Sequence, residues 1–266
     1  MLSDGHGAVK LHLWIVHLTA SVLEADRRFT LGSVMPVSPN PLETLNAQIV
    51  ACERCPRLRA HCTEIARVRR RAYAEWEYWG RPVPSFGDPD ARVLALGLAP
   101  GAHGSNRTGR PFTGDGSGDF LYPVLHEAGF ASLPRASSRD DGMKLNGLWI
   151  TSVARCAPPG NKPTPGELHN CSPWMDAEMA LLKDLRVVVC LGRIAFDGLL
   201  MREQRLGAVS ARANYTFRHG AEYALPSGLT TIASYHPSLQ NTNTGKLTRP
   251  MFFEVFKRAR LLAGLS

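Results

Sequence analysis

Six cysteines, two polar loops and one histidine carry most of the chemistry this sequence could perform. The thiols are Cys52, Cys55, Cys62, Cys156, Cys171 and Cys190. Cys52 and Cys55 are separated only by Glu53 and Arg54, a spacing that sets two sulfurs around one metal centre. Cys156 precedes Cys171 by fifteen residues, among Pro158, Pro159 and Pro163. Such thiolates suit either a tetrahedral zinc or an iron–sulfur cluster. Zinc ribbons usually show two close pairs, and here the second pair is far apart, so spacing alone puts iron–sulfur only slightly ahead. Cys190 lies inside the apolar run Val187-Val188-Val189-Cys190-Leu191 and reads as core. Cys62 reads as a bystander, near enough to the first pair to act as a substitute ligand.

The stretch from Gly97 to Asp115 is rich in glycine and small residues and follows an apolar run. Backbone in such a loop can approach a ligand closely. It has neither a Gly-Lys-Ser/Thr ending nor a GxGxxG pattern, which excludes the common phosphate-cradling loops. Its polar side chains with Phe112 suit a planar heteroaromatic base that is stacked and hydrogen-bonded, although Phe112 alone would read as core. The second loop, Tyr235 to Arg249, is polar and moderately basic and opens with His236. A lone histidine is usually structural, but at the end of a strand and facing a glycine-rich loop it becomes a catalytic or charge-stabilising candidate.

The elements that must position these loops are legible as patterns. Arg92–Leu98, Leu148–Val153, Arg186–Leu191 and Leu229–Tyr235 are apolar runs of strand length. Helical periodicity appears in Phe120, Leu121, Val124, Leu125 and Ala128, and in Met251, Phe252, Val255, Phe256 and Ala259. Thr164-Pro165-Gly166-Glu167 predicts a capping box that opens a helix bearing Cys171. Alternating strands and helices predict a parallel sheet covered on both faces. Ligands in such sheets bind outside the carboxyl ends of the strands, where Gly97–Asp119, Arg155–Asn161 and His236–Thr248 all fall. No internal repeat or low-complexity tract is present, and the charge run Arg67–Arg71 reads as a solvated helix face.

The chain has 266 residues, 44% of them hydrophobic, enough for one compact α/β domain. Its net charge of +8 points to an acidic partner, of which nucleic acid is the commonest. No run reaches the roughly 18 apolar residues of a membrane span; the stretch Leu11–Leu23 is broken by His12, His17, Thr19 and Ser21 and lacks a basic n-region and a clear small-residue cleavage site. A soluble protein without a secretory signal is expected, with its thiols reduced or metal-bound. A second methionine, Met35, makes residues 1–34 readable as an upstream extension, so a 1–40 extension and a 41–266 domain are expected.

Three segments together, Gly97 to Asp115, Cys156-Ala157-Pro158-Pro159-Gly160-Asn161 and His236-Pro237-Ser238, resemble the motifs of the type 5 uracil-DNA glycosylases. The likeness runs from about Cys52 to the C-terminus. It implies a three-layer α/β/α sandwich with a four-stranded parallel sheet, and a structural 4Fe–4S cluster held by Cys52, Cys55, Cys156 and Cys171. It implies hydrolysis of the N-glycosidic bond of deoxyuridine in DNA by a cytoplasmic, nucleoid-associated monomer of base excision repair, with a flipped nucleotide.

By the same resemblance His236 stabilises the anionic base, while Ala99, Gly101, His103, Phe112 and Ser152 line the base site. Arg110, Ser238, Gln240, Asn241, Lys246 and Arg249 are expected to meet DNA, with the His236–Arg249 loop as the wedge. Ala99 stands where the wider superfamily commonly has an acidic or amide group that orients water, a departure shared with type 5 enzymes. Asn106 is the leading substitute and Asn161 the alternative. Thr151-Ser152 stands where many relatives read uracil with asparagine, which implies a broader base range including hypoxanthine and ethenocytosine.

Other readings compete. A non-catalytic DNA-binding module stabilised by a cluster or zinc would fit the charge and the cysteines but leaves the first loop and His236 unexplained. An electron-transfer protein would carry an accessible redox potential and cleave no DNA. A superfamily member forming a covalent adduct through a histidine would need another histidine near the site, and His103 falls too early in its loop.

Overall fold

The aliphatic and β-branched runs form the strands expected of them. In the computed structural model, which describes residues 40–265, the chain order is α1 (Pro41–Val50), α2 (Pro56–Val68), β1 (Phe86–Gly87), β2 (Val93–Gly97), α3 (Ser105–Thr108), α4 (Gly116–Glu127), β3 (Leu148–Ser152), α5 (Pro165–Leu181), β4 (Val187–Leu191), α6 (Arg193–Arg205), β5 (Glu222–Ala224), β6 (Thr230–Ser234), α7 (Leu239–Asn243) and α8 (Arg249–Leu262). The extension expected at 1–40 lies, but for its last residue, outside the described residues.

The sheet has six strands in the order β1-β3-β2-β4-β6-β5. The central four, β3-β2-β4-β6, run parallel, and β1 and β5 add short antiparallel edges. The expectation of four strands is corrected by these edges. They escape a reading by apolar runs because β1 has two residues and β5 three, with Glu222 and Ala224 exposed.

Period-two alternation along the parallel strands feeds two cores. Val93, Ala95, Ile150, Val187, Val189 and Ile232 face one cluster, closed by α4 and α8 through Leu121, Leu125, Phe252 and Phe256. Leu94, Leu96, Trp149, Val188, Cys190 and Ala233 face the other, closed by α1, α5 and α6 through Leu42, Met175, Met179, Phe196 and Leu199. Helices thus cover both faces. Both bonds of the Thr164–Glu167 capping box form, fixing where α5 starts and hence where Cys171 sits on it. Among the described residues no helix is long and apolar enough to cross a membrane.

Candidate active site

A cleft of about 830 Å³ opens at the carboxyl ends of the parallel strands. Its wall is the Gly97–Asp115 loop, and that loop is tied shut from within. Arg107 is buried and donates from Nε to the His103 carbonyl at 2.7 Å and from Nη2 to the Gly114 carbonyl at 2.6 Å. Its guanidinium lies 3.9 Å from the ring centre of Tyr73 and 4.2 Å from that of Trp76. Thr108 donates to the Thr113 carbonyl at 3.1 Å, and Tyr122, under the loop, donates to the Pro111 carbonyl at 3.0 Å. Such a loop holds its groups in place before any ligand arrives.

Phe112 adopts a left-handed backbone, φ 50°, which few non-glycine residues do. The turn lays its ring over the end of β2, where a Cβ on Gly97 would come 3.0 Å from the ring edge. Across the cleft, the Phe112 and His236 rings are 5.8 Å apart and tilted by 32°. His236 is only partly exposed. Burial pushes its imidazole down to about 4, so it is neutral near pH 7. Among the described residues neither ring nitrogen has a protein partner, and both are left for a ligand. The backbone behind it is fixed: Asn241 Nδ2 donates to the His236 carbonyl at 2.8 Å.

Among the described residues one carboxylate lines the cleft, Asp115, which the sequence reading missed. Oδ1 caps α4 by accepting from Ser117 and Gly118 N–H, each at 3.1 Å. Oδ2 has no partner among the described residues and faces the loop. A Cβ on Gly104 would fall 1.9 Å from it, so glycine there makes room for the carboxylate. Burial, resisted by those two amides, raises the Asp115 carboxyl above its ordinary value. The only sequence signal was an Asp before a helix, which an N-cap explains by itself.

Of the expected site residues, Ala99, Gly101, His103, Phe112, Ser152, Asn161, His236, Ser238 and Gln240 line the cleft. Asn106 does not. It is fully buried in α3, with Nδ2 donating to the Cys62 and Ala102 carbonyls at 3.3 and 3.4 Å. Its side chain is enclosed away from the cleft, whereas Asn161 is exposed on the cleft wall. Arg110 is also corrected. It is 2% exposed and grips Asp141 in a two-point ion pair at 2.8 and 2.6 Å, out of reach of a DNA phosphate. Asn241 is occupied by the His236 carbonyl. Lys246 and Arg249 are exposed outside the cleft, Lys246 4.8 Å over the Tyr235 ring and Arg249 3.5 Å from Glu127.

A family model for the uracil DNA glycosylase superfamily matches residues 84–260. The type-5 uracil-DNA glycosylase of Thermus thermophilus is 55% identical over 217 residues, covering 82% of this chain and 96% of its own. That of Mycobacterium leprae is 49% identical over 222 residues, with 83% and 95% covered. The chain belongs to the type-5 uracil-DNA glycosylases. A type-4 enzyme from Sulfurisphaera tokodaii is more distant, 25% identical over 84% of each chain.

This family member gathers Cys52, Cys55, Cys156 and Cys171 around a second, small cavity from the end of α1, the start of α2, the loop after β3 and the middle of α5. Asn170 Nδ2 points at Cys55 Sγ at 3.8 Å, and Arg155 N–H donates to Cys171 Sγ at 3.3 Å. No three His, Cys, Asp or Glu side chains among the described residues form a single-ion site. Cys62 packs behind Cys156 and does not line the cavity. Cys190 lies in the core, 3.5 Å from the Thr231 hydroxyl. Arg155 borders both the cysteine cavity and the cleft. Its buried guanidinium binds Glu178 at 2.6 Å and Ser85, which in turn bonds Thr151 at 2.8 Å.

Proposed function

We propose that this chain hydrolyses the N-glycosidic bond of deoxyuridine in DNA, leaving an abasic site, as a monomeric, monofunctional glycosylase of base excision repair. The observation that carries this reading is the pairing, in one cleft, of a free carboxylate oxygen on Asp115 with a neutral, unpartnered His236 beside the Phe112 ring. Cleavage puts positive charge on the sugar and negative charge on the departing base, and the two groups answer one charge each.

The flipped uracil stacks on Phe112. His236 donates a ring N–H to a base carbonyl as the C1′–N bond breaks and the base takes the electron pair. Water, oriented by Asn161, adds its oxygen to C1′ and gives its proton to Asp115 Oδ2. A neutral imidazole suits this task, because it strengthens its hydrogen bond as the base becomes anionic and needs no prior protonation. Leu239, 57% exposed at the start of α7 on the cleft rim, fills the gap left in the stack. Ser238 and Gln240 on the same rim, with Lys246 and Arg249 further out, meet the strand.

Cys52, Cys55, Cys156 and Cys171 would hold a 4Fe–4S cluster. The residues fit it: all four donors are thiols facing one cavity, and two N–H groups aim at their sulfurs, as a thiolate accepts. When bound, the cluster supplies cross-linking among α2, α5 and the loop after β3. Ser152 and Ala99, with no amide or carboxylate to read uracil's edge, extend the substrate range to hypoxanthine and ethenocytosine. A hypoxanthine-containing duplex left uncut would remove that extension.

The test is alkali-revealed cleavage of a labelled duplex with one U opposite G, for the parent and His236→Ala. Cleavage by the parent, strongly reduced in the variant, is expected. An uncut substrate with the parent would leave a DNA-binding module.

A further inference from the structure

The arginine run at 67–71 reads from sequence as one solvated helix face, and the structure divides it. Arg67 stays on α2, paired with Glu64 at 2.8 Å. Arg69 ends the helix in a left-handed conformation, φ 56°, with its guanidinium on the Ala74 carbonyl at 2.7 Å. The turn so made carries Arg70 onto the wall of the base cleft, next to Tyr73. Arg70 is exposed, and among the described residues neither it nor Arg71 has an ion-pair partner. Its charge is felt inside the cleft: after burial, Arg70 and then Arg107 hold the His103 imidazole below its ordinary range.

The turn is also fixed to the base-reading loop. Tyr73 and Trp76, just after Arg70, clasp the Arg107 guanidinium, which itself holds the His103 and Gly114 carbonyls. The Tyr78 hydroxyl bridges the Arg70 N–H at 3.3 Å and His103 Nδ1 at 3.1 Å. An unpaired cation on a cleft wall that must admit a polyanion, on a turn bonded to the base loop, suits a phosphate. We propose that Arg70 binds a backbone phosphate of the strand carrying the extruded base and sets that strand against the Gly97–Asp115 loop. This rests on the glycosylase reading and adds a phosphate site away from the 238–249 segment.

The test is fluorescence anisotropy of a labelled duplex carrying a tetrahydrofuran abasic analogue, across a salt series, with parent, Arg70→Gln, Arg70→Lys and Arg67→Gln proteins. One lost phosphate contact lowers the slope of log affinity against log salt by about 0.9. Arg70→Gln is expected to lose that amount, Arg70→Lys to keep most of it, and Arg67→Gln to match the parent. An unchanged slope in Arg70→Gln, or an equal drop in Arg67→Gln, overturns the proposal. Uracil excision by each protein is scored separately. A parent that excises nothing but shows the Arg70 slope difference would sink the glycosylase reading and leave the phosphate site standing.

Discussion

Changing Asp115 to asparagine separates the two tasks its oxygens perform. Oδ1 caps α4 through the Ser117 and Gly118 amides, and an asparagine oxygen can do the same. Oδ2, the free atom, becomes an NH₂ that cannot take a proton. Loss of a positioned base costs on the order of 10²–10⁴ in rate, and that fall is expected in single-turnover excision from a U·G duplex. The acid limb of the parent's rate–pH profile, where the raised Asp115 carboxyl becomes protonated, should vanish with it. Stability should move the other way. The folded-state value lies above the unfolded one, so the folded chain binds the extra proton between the two, and the carboxylate is a deficit above that window. Asp115→Asn should therefore melt at or above the parent temperature at pH 7.5, with the difference shrinking in acid. Asp115→Ala, which loses the cap too, should fall by about 1 kcal/mol relative to Asn. An asparagine variant that excises uracil at the parent rate would refute the base role.

Further tests are more compact. His236 has a folded-state value near 4 against about 6.5 unfolded, so its contribution is full above 6.5 and is lost as pH falls toward 4. At about 1.4 kcal/mol per unit the loss is about 3 kcal/mol, and urea unfolding at pH 7.5 and 4.5 should show His236→Gln spared most of it. Arg110→Gln strands the Asp141 carboxylate, which the guanidinium and three backbone amides hold well below its usual range against the effect of burial. Chemical denaturation should register about 3–5 kcal/mol of destabilisation, while the salt slope of DNA binding per folded molecule stays at the parent value. Cys171→Ser should lose iron and acid-labile sulfide together when the purified protein is analysed, whereas Cys190→Ser should keep both; equal retention would exclude Cys171 as a ligand.

The sequence by itself determined what local pattern can determine. The apolar runs 92–98, 148–153, 186–191 and 229–235 read as strands by their length, and each holds one of the four parallel strands. The Thr164–Glu167 box fixes a helix start through bonds three residues apart. With those elements in order, the loops carrying Phe112, Asn161 and His236 had to meet at one end of the sheet. Tertiary structure decided which way side chains on those loops point, because a loop residue's direction depends on partners distant in sequence. Asn106 turns inward to the Cys62 carbonyl and Arg110 to Asp141, 44 and 31 residues away. Asp115, hidden in the pattern as a helix cap, has a second oxygen that only the approach of Gly104 reveals. Arg70 parts from Arg67 because one left-handed residue, Arg69, ends the helix between them, and no spacing of like charges along a chain encodes that turn.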